Sequence, residues 1–176
     1  MPSRPKSSNG NQPGGARGFT LAEVMITVGI VGILSSIALP NYFRQTQRTH
    51  QAEANATMSQ MLATVAAFFD EFGTLPEQWA DLNTMTTLMT NQGPATTNDG
   101  NLTTAITLPG DRYQLVRKNN GGVENYFVFE ATSTNTASAD FNVIACVDLK
   151  TGASHQIIGR NGAVAETSSL TCRGSS

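Results

Sequence analysis

The chain has 176 residues, of which 39% are hydrophobic and only 14% are charged, and its formal net charge is -2. Three of its eleven basic residues precede Phe19, which leaves eight basic residues against 13 acidic ones in the rest of the chain. This composition excludes a disordered polyelectrolyte and any broad electrostatic attraction to nucleic acid. The residues beyond the first forty, about 130 of them, suffice for one small globular domain.

The amino-terminal region changes composition abruptly. Residues 1–18 are rich in Pro, Gly, Ser and Asn, so we expect a flexible basic segment that buries no core. Residues 19–39 then form an apolar run in which Glu23 is the only charged residue. As a helix this run would be about 30 Å long, which matches the hydrocarbon core of a bilayer. Pro40 follows, and it either ends the helix or kinks it.

Residues 41–73 continue the helical pattern, but their apolar side chains now follow a single stripe. The stripe consists of Met58, Met61, Leu62, Val65, Phe68, Phe69 and Phe72. The opposite face is expected to hold Asn55, Ser59, Gln60 and Thr64. This spacing of three and four predicts an amphipathic helix, which Gly73 would end in a left-handed conformation. If Pro40 only kinks it, the helix runs from about Phe19 to Phe72, and its first half extends beyond what a domain of this size buries.

Residues 74–176 complete the globular part. Residues 74–77 have the spacing of a capping box before a short helix that would bury Trp79. Residues 83–107 are rich in Thr and Asn and lack periodicity, which indicates a surface loop with at most short structure. Alternating apolar residues then predict an antiparallel meander of about four strands that packs on the helix stripe. The strand candidates are residues 113–116, 123–131, 141–149 and 154–158.

Glu23 requires an explanation, because a charged residue at the middle of a bilayer costs about 2.5–3.5 kcal/mol. One interpretation is local. Thr20 and Glu23 have the spacing of a capping box, in which each side chain bonds the backbone N–H of the other at the start of a helix. A carboxylate at this end is also favoured by the helix dipole.

The residues around Glu23 also resemble a family signature. RGFTLxE at residues 17–23, followed by an apolar run that ends in ALPNY at residues 38–42, is similar to the prepilin signature of type IV pilins. The resemblance implies an α+β type IV pilin fold, in which a long amino-terminal helix packs on an antiparallel sheet. It also implies that residues 1–18 are a leader. A prepilin peptidase would cut after Gly18 and methylate the new amino terminus at Phe19.

The resemblance assigns further roles. Glu23 matches the family's glutamate and Pro40 matches its helix-kinking proline. We expect the amine of Phe19 to pair with Glu23, because two opposite charges that are costly in lipid become tolerable together. Pairing between staggered copies would set their axial register, as buried polar groups do in coiled coils.

The same resemblance implies where the protein acts and with what. The precursor would cross the cytoplasmic membrane once, through residues 19–40. An assembly platform would then transfer it, together with other copies, into a helical filament on the cell surface. Such a pilus would serve adhesion, twitching motility or DNA uptake.

The two cysteines, Cys146 and Cys172, are too far apart for a CxxC motif. The residues alone leave open buried thiols, a redox pair or a disulfide, and export would favour the disulfide. The resemblance matches them to the pilin cysteine pair that closes a carboxy-terminal loop, here residues 146–172. We recognise no catalytic constellation, cofactor motif or metal-ligand cluster, and therefore expect a structural protein without a cofactor or enzymatic activity.

Other interpretations remain open at this point. A type II secretion pseudopilin or a minor pilin would carry the same amino-terminal segment. A secreted binding domain would instead use residues 36–38, Ser-Ile-Ala, as a signal-peptide cleavage site, although Glu23 then has no role. Arg112, Arg117 and Lys118 suggest a small basic patch for DNA, but a solvated strand face is the simpler interpretation and nothing else supports a DNA partner.

Overall fold

The computed structural model describes residues 18–119, 122–160 and 162–173. The leader expected over residues 1–18 therefore lies, apart from Gly18, outside the described residues. The chain divides between Tyr42 and Phe43 into two units. One 52-residue helix, α1 (Leu21–Phe72), contributes to both units. Pro40 lies inside α1, so the prediction that the helix continues past this residue is confirmed, while the kink expected there stays a prediction.

In the first unit, α1 exposes its side chains on every side. Among the described residues up to Tyr42, all but Ser35 are exposed to solvent, and Ser35 is half-buried. Within the described chain, α1 is the one helix long and apolar enough to cross a membrane. This part of the helix therefore has no core of its own.

In the second unit, α1 buries one stripe. Its buried residues are Gln51, Ala54, Met58, Met61, Leu62, Thr64, Val65 and Phe68. The predicted stripe is confirmed from Met58 to Phe68, but it is wrong at Phe72, which is 53% exposed and contacts Phe68 with ring centroids 4.7 Å apart. Thr64 was expected on the opposite face, yet it is buried. Its hydroxyl donates to the carbonyl of Gln60 at 2.8 Å, so burial leaves no unpaired donor.

A short helix, α2 (Trp79–Asn83), follows the end of α1. Gly73 ends α1 with a φ of 65°, as predicted, and its N–H donates to the carbonyl of Phe69 at 2.9 Å. The capping box expected at residues 74–77 is wrong, because Gln78 caps α2 and the Asp81 carboxylate accepts from the N–H of Gln78 at 2.8 Å. Trp79 is fully buried, as predicted.

The strands form two antiparallel sheets. The small sheet pairs β1 (Met89–Thr90) with β2 (Gly93–Pro94). The main sheet has the order β3-β4-β5-β6-β7. Its strands are β3 (Ile106–Thr107), β4 (Tyr113–Lys118), β5 (Tyr126–Ser133), β6 (Val143–Asp148) and β7 (Ser154–Ile158). The fifth strand, beyond the four expected, is the two-residue β3, which is too short to show alternation in the sequence.

The core lies between the stripe of α1, helix α2 and one face of the main sheet. Phe127 and Phe129 of β5 belong to this core, which Leu88, Leu102 and Ile106 join from within residues 83–107. Part of the Thr-rich stretch is therefore buried. The other face of the sheet carries a smaller cluster of Val128, Cys146 and Cys172, with Leu170 packed against it. Because both faces are covered, apolar residues run without interruption from Tyr126 to Phe129 in β5 and from Val143 to Val147 in β6.

Candidate functional site

The candidate site is the amino-terminal segment from Gly18 to Leu39, called the apolar segment below. Its exposed large apolar side chains are Phe19, Leu21, Val24, Met25, Ile26, Val28, Ile30, Val31, Ile33, Leu34, Ile37 and Leu39. Phe19, at its start, is 88% exposed. A continuous apolar surface of this extent marks contact with lipid or with other protein chains.

Glu23 caps the start of α1. Its Oε2 accepts from the backbone N–H of Thr20 at 2.8 Å and from the Thr20 hydroxyl at 2.7 Å. In return, the N–H of Glu23 donates to the Thr20 hydroxyl at 3.2 Å. The predicted capping box is therefore confirmed. Among the described residues the other carboxylate oxygen, Oε1, has no hydrogen bond, so it can accept from a further donor.

The peptide bond between Gly18 and Phe19 lies on exposed backbone before the first turn of α1. A Cβ at Gly18 would meet no heavy atom within 4 Å, other than those of its chain neighbours. The described fold therefore gives no steric reason for a glycine at this position. A requirement for glycine here must come from something that contacts the extended chain, such as the narrow cleft of a protease.

The carboxy-terminal loop is closed by a disulfide between Cys146 on β6 and Cys172. The disulfide was implied by the resemblance and is confirmed. Thr171, next to Cys172, donates its N–H to Nδ1 of His155 on β7 at 3.1 Å. The loop is thus held to the outer face of the sheet by a covalent bond and by a polar contact on the neighbouring strand.

The basic residues considered for DNA binding do not form a free patch. The Arg117 guanidinium lies 4.0 Å from the ring centroid of Phe127, and burial lowers the pKa of this arginine. Lys118 Nζ lies 2.8 Å from Glu130 Oε2 on the neighbouring strand. In the part of the chain that the structure describes, no three His, Cys, Asp or Glu side chains are grouped closely enough to hold a metal ion.

One feature of the second unit was missed by the sequence analysis. A groove of about 1080 Å³ brings Arg44 and Arg48 of α1 together with Arg160, which lies just after β7. The sequence holds a partial signal, because two arginines four residues apart lie on one face of a helix. The approach of Arg160, more than a hundred residues later, has no sequence signature.

Known proteins match this chain over part of its length. Residues 14–39 match the prokaryotic N-terminal methylation motif. The type IV major pilin protein PilA of Myxococcus xanthus is 44% identical over 55 residues, which cover 31% of this chain and 25% of that protein. The type IV major pilin protein PilE1 of Neisseria gonorrhoeae is 39% identical over 61 residues, which cover 35% of this chain and 37% of that protein.

A longer match reaches into the globular part. The type IV major fimbrial protein FimA of Dichelobacter nodosus is 27% identical over 133 residues, which cover 76% of this chain and 75% of that protein. No solved structure gives a significant match. The methylation motif, the long amino-terminal helix on an antiparallel sheet and the similarity to major pilins together support a type IV pilin.

Proposed function

We propose that this protein is the precursor of a pilus subunit that assembles through its apolar segment. The observation that carries the proposal is that α1 presents apolar side chains on every side from Leu21 to Leu39. A surface that is apolar all round requires cover from all directions. A bilayer supplies such cover before assembly, and the helices of neighbouring copies supply it in a filament.

Processing would begin at Gly18. Hydrolysis of the Gly18–Phe19 bond by a prepilin peptidase would free the amine of Phe19, which the same class of enzyme would methylate. The exposure of both residues supports cleavage at this bond. The absence of any steric need for a glycine at position 18 in the described fold supports recognition by the peptidase.

Glu23 would then receive the new amine. Its Oε2 is already occupied by Thr20, whereas Oε1 faces no donor among the described residues. An ammonium group from Phe19 of the same helix, or of a copy staggered along the filament, would bond Oε1. The capping and register interpretations of Glu23 are therefore compatible, because they use different oxygens of one carboxylate.

The partners and location follow from this role. The precursor would cross the cytoplasmic membrane once, and an assembly platform would transfer it to a surface filament made of copies of this chain. Because the matches to the major pilins PilA and PilE1 cover only 31% and 35% of this chain, the use of the fibre in adhesion, twitching motility or DNA uptake belongs to the proposal.

The mass of the mature amino-terminal peptide tests the proposal. Cells expressing the chain are sheared, and the peptide is measured in the released and membrane fractions. We expect a methylated peptide that starts at Phe19 and is abundant in the sheared fraction. The same peptide in membranes alone would indicate a pseudopilin or minor pilin, and a start at Leu39 would indicate an ordinary signal peptide.

A matched pair of variants sharpens this measurement. Gly18→Val should block cleavage, and a Cβ at this position would meet no heavy atom of the described fold within 4 Å, other than those of its chain neighbours, so a clash at the Cβ would not explain the loss. Gly29→Ala adds a Cβ inside α1 where it likewise meets no heavy atom within 4 Å, and it should leave cleavage intact. Normal processing of Gly18→Val would remove the assignment of the cleavage site.

A further inference from the structure

The groove beside Arg44 carries an inference that rests on the proposed function. Three exposed arginines line it, Arg44 and Arg48 from α1 and Arg160 from the segment after β7. One carboxylate, Asp140, also lines it, and its Oδ2 accepts from the N–H of Gly162 at 2.9 Å. Among the described residues, none of the three arginines lies within 4 Å of a carboxylate oxygen.

The groove is basic, although the globular part as a whole is acidic. From Phe43 onward the chain has eight basic and twelve acidic residues. Three of those eight basic residues share one groove with one of the twelve acidic ones. Unpaired arginines that converge on one cavity form a site for an anion, and guanidinium groups bind phosphate oxygens in a bidentate manner.

Hydrogen bonds and close backbone packing hold the groove in shape. Gln51 is buried, and its Nε2 donates to the carbonyls of Gly159 at 2.9 Å and Asn142 at 3.2 Å. A Cβ on Gly159 would clash with the backbone oxygen of Asp140, so only glycine allows this close approach. Arg160 is held by paired backbone hydrogen bonds with Ala163, both of 2.9 Å. These contacts fix the backbone around Arg160, which lines the groove together with Arg44 and Arg48.

The position of Arg44 and Arg48 in the sequence, just after the apolar segment, indicates which anion the groove binds. Arg44 and Arg48 follow Pro40 by four and eight residues in the chain, directly after the apolar segment. The headgroup layer on each side of a bilayer core is roughly 5–8 Å thick. Long arginine side chains that follow closely after a membrane span extend toward such a layer, where the lipid phosphates lie.

The position of these arginines is unusual for a membrane protein. Under the proposed orientation they follow the membrane span on the side away from the cytoplasm, where basic residues are normally depleted. Their presence there implies a specific partner. Apolar side chains of Phe43, Phe141 and Ile158 line the same groove, which suits a ligand with both a charged and an apolar part.

We propose that the groove binds the phosphate headgroup of an anionic phospholipid in the adjacent leaflet while the subunit waits in the membrane. The contact would hold the globular part against the bilayer surface, and assembly into a filament would break it. Free inorganic phosphate and an acidic surface of a second copy are the competing ligands that the test must separate.

The test uses the full chain reconstituted in phosphatidylcholine bilayers. Electron spin resonance with spin-labelled phosphatidylglycerol or phosphatidylcholine gives the relative association constant of the two lipids. We expect the chain to select phosphatidylglycerol. Each arginine removed should lower the selectivity by up to about fivefold, as expected for one basic side chain at an anionic surface. The substitutions are Arg44→Gln, Arg48→Gln and Arg160→Gln.

Arg160→Gln and a matched control test whether the lipid binds in the groove or only to the arginines of α1. Arg173→Gln removes the same charge from an arginine that lies 5.6 Å from the ring centroid of Tyr126, outside the groove. Selectivity should fall in Arg160→Gln and persist in Arg173→Gln. Equal behaviour of these two variants would overturn the proposal. Circular dichroism melting of each variant checks that the fold is intact.

The remaining outcomes separate the alternatives. Loss of selectivity in about 20 mM inorganic phosphate, but not in sodium chloride of equal ionic strength, would assign the groove to free phosphate and overturn the lipid proposal. A triple variant that keeps lipid selectivity but loses filaments would assign the groove to contacts between copies. If neither labelled lipid is immobilised by the chain, the segment does not span the bilayer, and the proposed function itself fails.

Discussion

The two halves of α1 differ in how their apolar side chains are covered. From Leu21 to Tyr42 the helix exposes them on every side, whereas from Phe43 to Phe72 it buries one stripe beneath α2 and the main sheet. The contrast is clear in two methionines of the same helix, because Met25 is 67% exposed and Met58 is fully buried.

This difference shows that the arrangement of apolar residues determines the partner. A single stripe needs cover on one side, which a sheet from the same chain supplies. Apolar residues on all sides need cover on all sides, which a domain of this size does not supply. The first half must therefore be covered by lipid or by other chains.

The largest expected effect concerns Glu23. It tests whether this carboxylate pairs with the Phe19 amine of a neighbouring copy in the filament. Glu23→Ala should leave cleavage intact but reduce filament yield by roughly tenfold or more, because an unpaired amine would remain in an apolar environment. The control is Thr20→Ala, which removes the cap hydroxyl and costs about 1 kcal/mol. Sheared filaments are quantified for both variants. Equal yields would mean that capping alone explains Glu23, and wild-type yield from Glu23→Ala would exclude the register pairing.

The methionine pair tests the comparison directly. Met58→Ala should lower the free energy of unfolding of the globular part by about 2–5 kcal/mol, since it leaves a cavity in a packed core. Met25→Ala should change it by less than about 0.5 kcal/mol, because the side chain packs on nothing within the chain. Urea unfolding monitored by Trp79 fluorescence measures both. Similar values for the two variants would contradict the assignment of the core.

The disulfide should stabilise the globular part and leave the apolar segment unaffected. Cys172→Ser removes a cross-link of sequence separation 26, and the chain-entropy estimate for such a loop is roughly 3–4 kcal/mol. We expect a lower melting temperature of the globular part under oxidising conditions and unchanged membrane insertion of the apolar segment. Reductant should lower the melting temperature of the wild type but not that of the variant. An unchanged melting temperature in every condition would mean that the bridge contributes nothing.

The smallest effect is a dependence on alkaline pH that is confined to the second unit. Burial, reinforced by the nearby Asp140 carboxylate, raises the pKa of Tyr113 to about 12. Since the folded-state pKa lies above the ordinary value of 10, the stability contribution is complete below pH 10 and is lost as the pH rises toward 12. Urea midpoints between pH 8 and pH 12 measure this loss, which should be smaller in Tyr113→Phe. Identical pH profiles of the two proteins would exclude a role for Tyr113.

Several parts of the fold could be predicted because their signals are local. The capping box of Thr20 and Glu23, the stripe from Met58 to Phe68 and strand β7 each depend on residues a few positions apart. The misplaced cap of α2 shows the limit of this approach. Residues 74–77 have suitable spacing, but the backbone starts the helix after Gln78, where Asp81 bonds the N–H groups of Glu77 and Gln78.

Burial of a side chain was harder to predict where the residues that pack on it lie far away in the sequence. Leu88 and Leu102 lie in a stretch without periodicity, because its elements are only two or three residues long. Phe72 continues the periodicity of the stripe and is nevertheless exposed. Periodicity identifies the buried face of a helix, but it does not show how far along the helix the rest of the domain packs on that face. Val128 is buried on the outer face of the sheet because the loop closed by Cys172 packs there.

The amino-acid sequence alone predicted the amino-terminal signature, the length of the apolar segment and the amphipathic stripe that follows Pro40. These features are periodic or contiguous, so neighbouring residues suffice to specify them. The folded structure was needed to show that β5 and β6 contribute to clusters on both faces of the sheet and that Arg160 lines one groove with Arg44 and Arg48. Such encounters join residues far apart in the chain, and packing of the whole domain brings them together.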